Sequence, residues 1–130
     1  MIVRLWTARA AQSDVAKYLR HFRTSVEPGL VALPGFLGAE VLVGAMDAGE
    51  GHASSAAKRT EGTEEEVVEL VVATRWASMD AVRGFAGPTP YLAVVDPAAA
   101  AVLESYDRLV RHFTLALATT THAPAATTES

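Results

Sequence analysis

The sequence predicts an α+β domain with the ferredoxin-like element order β-α-β-β-α-β, assembled as a homodimer. Three observations carry that expectation. Four segments of bulky and β-branched residues read as strands, and two segments with helical apolar spacing follow the first and third of them. The second and third strands are also apolar on both faces: Leu37, Val41 and Val43 against Phe36 and Leu42, then Val68, Leu70 and Val72 against Val67 and Val71. A sheet with helices on one side only should be amphipathic, so an apolar second face needs cover, and a second copy of the chain is the simplest.

The elements follow in order. Residues 2 to 9 carry no breaker and read as the first strand. Ser13 and Asp14 supply N-cap chemistry, after which Val15, Tyr18, Leu19, Phe22 and Val26 fall on one helix face. Glu27-Pro28-Gly29 breaks or kinks that helix, and Leu30 to Leu33 continue it briefly. Leu33-Pro34-Gly35-Phe36 is turn chemistry leading into a second strand, Phe36 to Ala45. Asp47 to Thr63 is rich in Gly, Ser, Ala and charge, with too little apolar surface to offset its ordering entropy, and reads as a flexible loop. The third strand runs from about Glu66 to Trp76. A short helix then covers Met79 to Phe85, capped by Ser78, with Asp80 where the helix dipole favours an anion. Gly87 to Pro90 is a loop, and Tyr91 to Val95 is helical or extended. Asp96-Pro97 starts a helix over Ala98 to Glu104, with Asp as N-cap and Pro in the first turn. A final strand begins at Asp107 or Leu109 and ends at Leu117, and 118–130 reads as a disordered tail.

Composition narrows the function. At 130 residues and 50% hydrophobic, the chain suits one domain with a continuous core. With no cysteine, disulfides and thiolate metal sites are excluded. The net charge is −4 and the basic residues are scattered among acids, so neither nucleic acid nor an anionic membrane is an expected partner. Apolar runs fall short of the roughly 20 residues that span a bilayer. Met1 to Trp6 lacks a basic region leading into a long apolar core, so no signal peptide is expected and the cytoplasm is the default location.

Arg4 and Trp6 on the first strand, the Pro34-Gly35-Phe36 turn, the stretch Trp76 to Gly87 and the closing Tyr106-Asp107-Arg108-Leu109-Val110-Arg111-His112-Phe113 together resemble the antibiotic biosynthesis monooxygenase family. The resemblance covers residues 1–117, apart from the 47–63 loop. It implies a dimeric α/β barrel with a cleft in each subunit between sheet and helices. It also implies a cofactor-independent monooxygenase that uses neither metal nor flavin on a small aromatic or polyketide-like substrate. Deprotonating an electron-rich phenol or anthrone yields a carbanion that reduces O₂ directly, while the protein supplies burial and orientation. Haem-degrading relatives carry an Asn on the first strand, a Trp late in the short helix and a haem-binding His further on. This chain has no Asn, and it places Phe85 and Val95 at the other two positions.

Each candidate site residue has a functional and a structural reading. Trp76 is either a cleft wall whose indole N–H meets a bound oxygen or a core Trp at the strand–helix junction, and Trp6 has the same two readings. His112 is the best-placed titratable group, able to serve as a general base at neutral pH, with Arg111 on the opposite strand face. Phe85 belongs with the substrate-binding group, and Arg83 and Tyr91 either orient a ligand at the cleft mouth or remain solvated and packed. His21 sits at the edge of its helix stripe, while His52 and His122 fall in segments read as flexible. The four His residues are too dispersed for a metal site, and Glu64-Glu65-Glu66 reads as a solvated acidic run. The competing function is a non-catalytic dimeric module that binds a small hydrophobic ligand or acts in assembly.

Overall fold

β-Branched and bulky residues extend the chain from its start. In the computed structural model, which describes residues 1–45 and 66–121, they form β1 (Ile2–Ala11). The helical run that follows is less regular than its apolar stripe suggests. It opens as a 3₁₀ turn (Gln12–Asp14), becomes α1 (Val15–His21), widens to a π segment (Phe22–Val26), and closes as α2 (Glu27–Val31). Asp14 occupies the N-cap of α1 without a side-chain cap, and its carboxylate pairs instead with Lys17 at 3.4 Å. The predicted break at Glu27-Pro28-Gly29 is instead absorbed by the π segment. In α register the Pro28 nitrogen would face the Thr24 carbonyl with no hydrogen to give, and the wider turn, with Glu27 N–H bonded to Phe22 O, carries the helix past it.

The Leu33-to-Phe36 turn depends on Gly35. Its φ of +83° suits glycine, and a Cβ there would lie 2.5 Å from the Ala81 Cβ. β2 (Phe36–Ala45) then pairs antiparallel with β3 (Val67–Trp76), with a bulge between Phe36 and Gly38. α3 (Met79–Ala86) is capped as expected, Ser78 Oγ accepting from the Ala81 N–H at 3.1 Å. α4 (Pro97–Val102) is capped by Asp96, which accepts from the Ala99 N–H at 2.7 Å.

The chain's last pairing departs from the single predicted strand. β4 (Ser105–Tyr106) and β5 (Arg111–Thr114) both pair with β1, but Ala8 faces Tyr106 while Leu5 faces Arg111. Asp107 N–H still bonds to Thr7 O, but residues 108–110 leave β1 and bond to the segment after α3: Ala93 N–H to Arg108 O, and Val110 N–H to Tyr91 O. Tyr91 to Val95 is therefore not helical: Tyr91 ends a turn, and Leu92 forms a single bridge to Leu109. Leu115 N–H still reaches Met1 O, but 115–121 forms no strand. The 47–63 loop and residues 122–130 lie outside the described residues.

The sheet order is β2-β3-β1-β4, with β5 also on β1, and every pairing is antiparallel. The chain is thus an α+β protein whose strand order is compatible with a ferredoxin-like fold. One face of the sheet meets the helices. Val68, Leu70, Val72, Thr74 and Trp76 alternate into that layer, joined by Ala8 and Ala10 of β1 and by Tyr18, Phe22, Leu30, Val82, Ala99 and Leu103 from the helical side. Among the described residues no helix is long and apolar enough to cross a membrane.

Candidate functional site

Strand alternation puts Arg4, Trp6, Ala8 and Ala10 of β1 on the face that meets the helices. Ala8 and Ala10 pack into the core, whereas Arg4 and Trp6, with Val72 and Thr74 of β3, form the sheet side of a cavity beneath the helical layer. It gives the centre of a water molecule about 70 Å³ of room, within about 560 Å³ of atom-free space counting the mouth. By that measure one water needs about 10–15 Å³, so the space suits one six-membered ring rather than a fused tricycle. Trp6, Tyr18, Phe22 and Phe85 supply its aromatic wall, Val72, Val95 and Val110 its aliphatic wall, and Arg4, Tyr18, Thr74 and Asp96 its polar groups.

Arg4 is the unusual member, a guanidinium only 4% exposed. Nη1 donates to Pro90 O and to His112 Nε2 at 3.1 Å, and Nη2 donates to Leu92 O at 3.1 Å. The guanidinium carbon lies 5.5 Å from the Phe85 ring centroid. No carboxylate pairs with it among the described residues, and burial alone brings its pKa down to about 10.

His112 stands behind Arg4 rather than on the cavity wall. Desolvation, and then the Arg4 charge, hold its imidazole below the usual range, so it is neutral at neutral pH. A guanidinium can only donate, so Nε2 accepts and the proton belongs on Nδ1. The nitrogen nearest the cavity group is therefore occupied.

Trp76 is fully buried and also lies behind the wall. Its indole N–H donates to Thr74 Oγ at 2.8 Å, its ring stacks on Phe85 at 5.5 Å, and Phe36 meets it edge-on at 5.2 Å. Trp6 lines the cavity while its N–H donates to Asp107 O at 2.8 Å, tying β1 to the segment between β4 and β5. Arg83 points elsewhere, paired with Asp80 at 3.0 Å on the exposed side of α3. Tyr91 is 55% exposed and contributes its backbone, not its ring, to the fold around the site. The structure therefore brings Trp6 and Phe85 together at the cavity, sets Trp76 and His112 one layer behind, and leaves Arg83 and Tyr91 outside.

Three cavity groups were not anticipated as site residues. Arg4 had a usable signal, a charge on the same strand face as Trp6, Ala8 and Ala10. Tyr18 reads from sequence as one more core residue of the α1 stripe. Its hydroxyl has no hydrogen-bond partner among the described residues, and burial followed by the Asp96 charge pushes its pKa up to about 12. Asp96 reads as a cap and is one, but it also accepts from or shares a proton with His21 Nε2 at 3.0 Å and reaches the cavity wall. Opposed by desolvation, its hydrogen bonds from Ala99 and His21 hold its carboxyl below the usual carboxylate range. Among the described residues no group of three or more His, Asp or Glu is placed to hold a metal ion.

Neither a family model nor a curated protein matches this chain.

Proposed function

We propose that this chain is a homodimeric α/β-barrel protein of the antibiotic biosynthesis monooxygenase type, acting as a cofactor-independent oxygenase on a small, electron-rich aromatic substrate. The observation that carries the reading is the cavity between sheet and helices, walled by Trp6, Tyr18, Phe22 and Phe85 around a few polar groups. Its volume narrows the substrate to a single-ring phenol and disfavours an anthrone. The chemistry balances without a further reductant. A phenolate gives electrons to O₂, the ring carbon is captured as a hydroperoxide, and loss of water leaves a quinone, so one phenol and one O₂ yield one quinone and one water. The protein orients the ring, excludes bulk water and stabilises the developing anion at Arg4.

A non-catalytic ligand-binding module is the second reading, and the geometry of His112 favours it. Nε2 is occupied by Arg4, and the carboxylate on the wall, Asp96, is a weakened base. Oxygen uptake by purified protein against a panel of single-ring phenols separates the two. Saturable uptake that falls by about tenfold or more in Trp6→Phe or His112→Ala, with folding intact, supports the oxygenase. Ring binding without uptake across the panel assigns the module instead.

A further inference from the structure

We infer that the cavity is built for an aromatic carboxylate, the carboxylate gripped by Arg4 and the ring held against Phe85 and Trp6. This deepens the reading of the cavity as a ligand site and rests on it.

The first reason is the charge balance. Burying a guanidinium is unfavourable unless an anion or a full set of acceptors compensates it. Arg9, Lys17, His21, Arg23, Arg75 and Arg83 each have an acidic partner and each is more exposed than Arg4, whereas Arg4 meets two carbonyls and a neutral imidazole. A single guanidinium balances a single charge, which fits a carboxylate better than a phosphate dianion.

The second reason is donor geometry. Nη1 spends its hydrogens on Pro90 O and His112 Nε2, and Nη2 spends one on Leu92 O. Nε–H and the second Nη2 hydrogen have no partner among the described residues. Adjacent donors of this kind match the two oxygens of a carboxylate. The loop carbonyls and His112 fix the guanidinium from the other side, so the grip is organised before a ligand arrives. Tyr18, with its hydroxyl protonated and unpaired among the described residues, offers a third donor on the wall. Asp96, the wall group that would repel an anion, caps α4 on the helical side, whereas Arg4 rises from the sheet, so a bound carboxylate turns toward the sheet.

Titration of the 130-residue chain with benzoate, benzamide and phenol, followed by calorimetry, tests this without a variant. Benzoate should bind about tenfold or more tighter than either neutral ring, the scale of one charge-assisted hydrogen bond. Arg4→Lys, which keeps the charge but not the paired donors, should remove most of that preference. Equal binding of benzoate and benzamide, or a preference unchanged in a folded Arg4→Lys, overturns the inference. Oxygen uptake on hydroxybenzoates is read separately. Tight benzoate binding without uptake sustains the carboxylate site and overturns the oxygenase, while uptake on phenols with no carboxylate preference does the reverse.

Discussion

His112 shows how burial and one neighbouring charge together set a residue's protonation. In the folded chain desolvation and the Arg4 charge hold its pKa down, and in the unfolded chain it returns to about 6.5. As pH falls through that value the unfolded state takes up a proton first, so the folded state loses stability. The loss ends once the folded imidazole titrates too, and its slope is at most about 1.4 kcal/mol per pH unit. Asp96, also depressed, loses its stabilisation in a lower window, below the ordinary carboxylate range. Denaturant midpoints at about pH 7 and about pH 5.5 should therefore converge in His112→Gln, which keeps an acceptor for Arg4 but cannot be protonated, and diverge in the native chain. An unchanged pH sensitivity in the variant would remove His112 from the account. His112 could be singled out in the sequence as titratable, but its partner could not. Arg4 and His112 are 108 positions apart and meet only because β1 and β5 pair in the register that sets one opposite the other.

At the scale of elements, Asp96 joins two helices through one carboxylate. One oxygen accepts from the Ala99 N–H at the start of α4, and the other meets His21 at the end of α1. Removing it as Asp96→Ala should cost about 1–2 kcal/mol, since both the cap and the bridge go. Asp96→Asn should recover most of that loss, because the amide oxygen still caps α4. Urea unfolding of the pair checks this, and equal losses would show that the ionic bridge to His21 outweighs the cap. The cap itself was legible because Asp-Pro is a local signal, as were Ser78 and the bounds of β2, where a turn and an apolar run coincide. The π segment and the split final strand were not, for a shared reason. Each depends on a partner that local patterning does not contain: the fit of a proline into a continuing helix, and the competition of residues 91–93 with β1 for the backbone of 108–110.

At the scale of the whole molecule, the proposed dimer rests on the sheet face turned away from the helices. The strand positions that alternate away from the helices present Val3 and Leu5 of β1, Val71 and Ala73 of β3, Leu42 of β2 and Phe113 of β5. Leu42 is 54% and Phe113 41% exposed, so in one chain this surface is left to water. Two of the charges on it have local contacts: Arg75 pairs with Glu40, and Arg111 lies 4.9 Å over the Phe113 ring. An exposed apolar face of this kind suits a self-complementary two-fold interface, in which the same patch must serve both partners. The native chain should therefore sediment at twice its 13.7 kDa mass. Leu42→Lys should yield folded monomers, since a residue this exposed contributes little to the single chain and two copies would bring like charges into one interface. A monomeric native protein would dismiss the dimer, and a Leu42→Lys dimer of undiminished affinity would place the contact on another surface. The cavity opens on the opposite side of the sheet, so monomeric Leu42→Lys should keep its ring binding. Any loss of binding on dissociation would show instead that the partner subunit holds the helical layer in its binding-competent form.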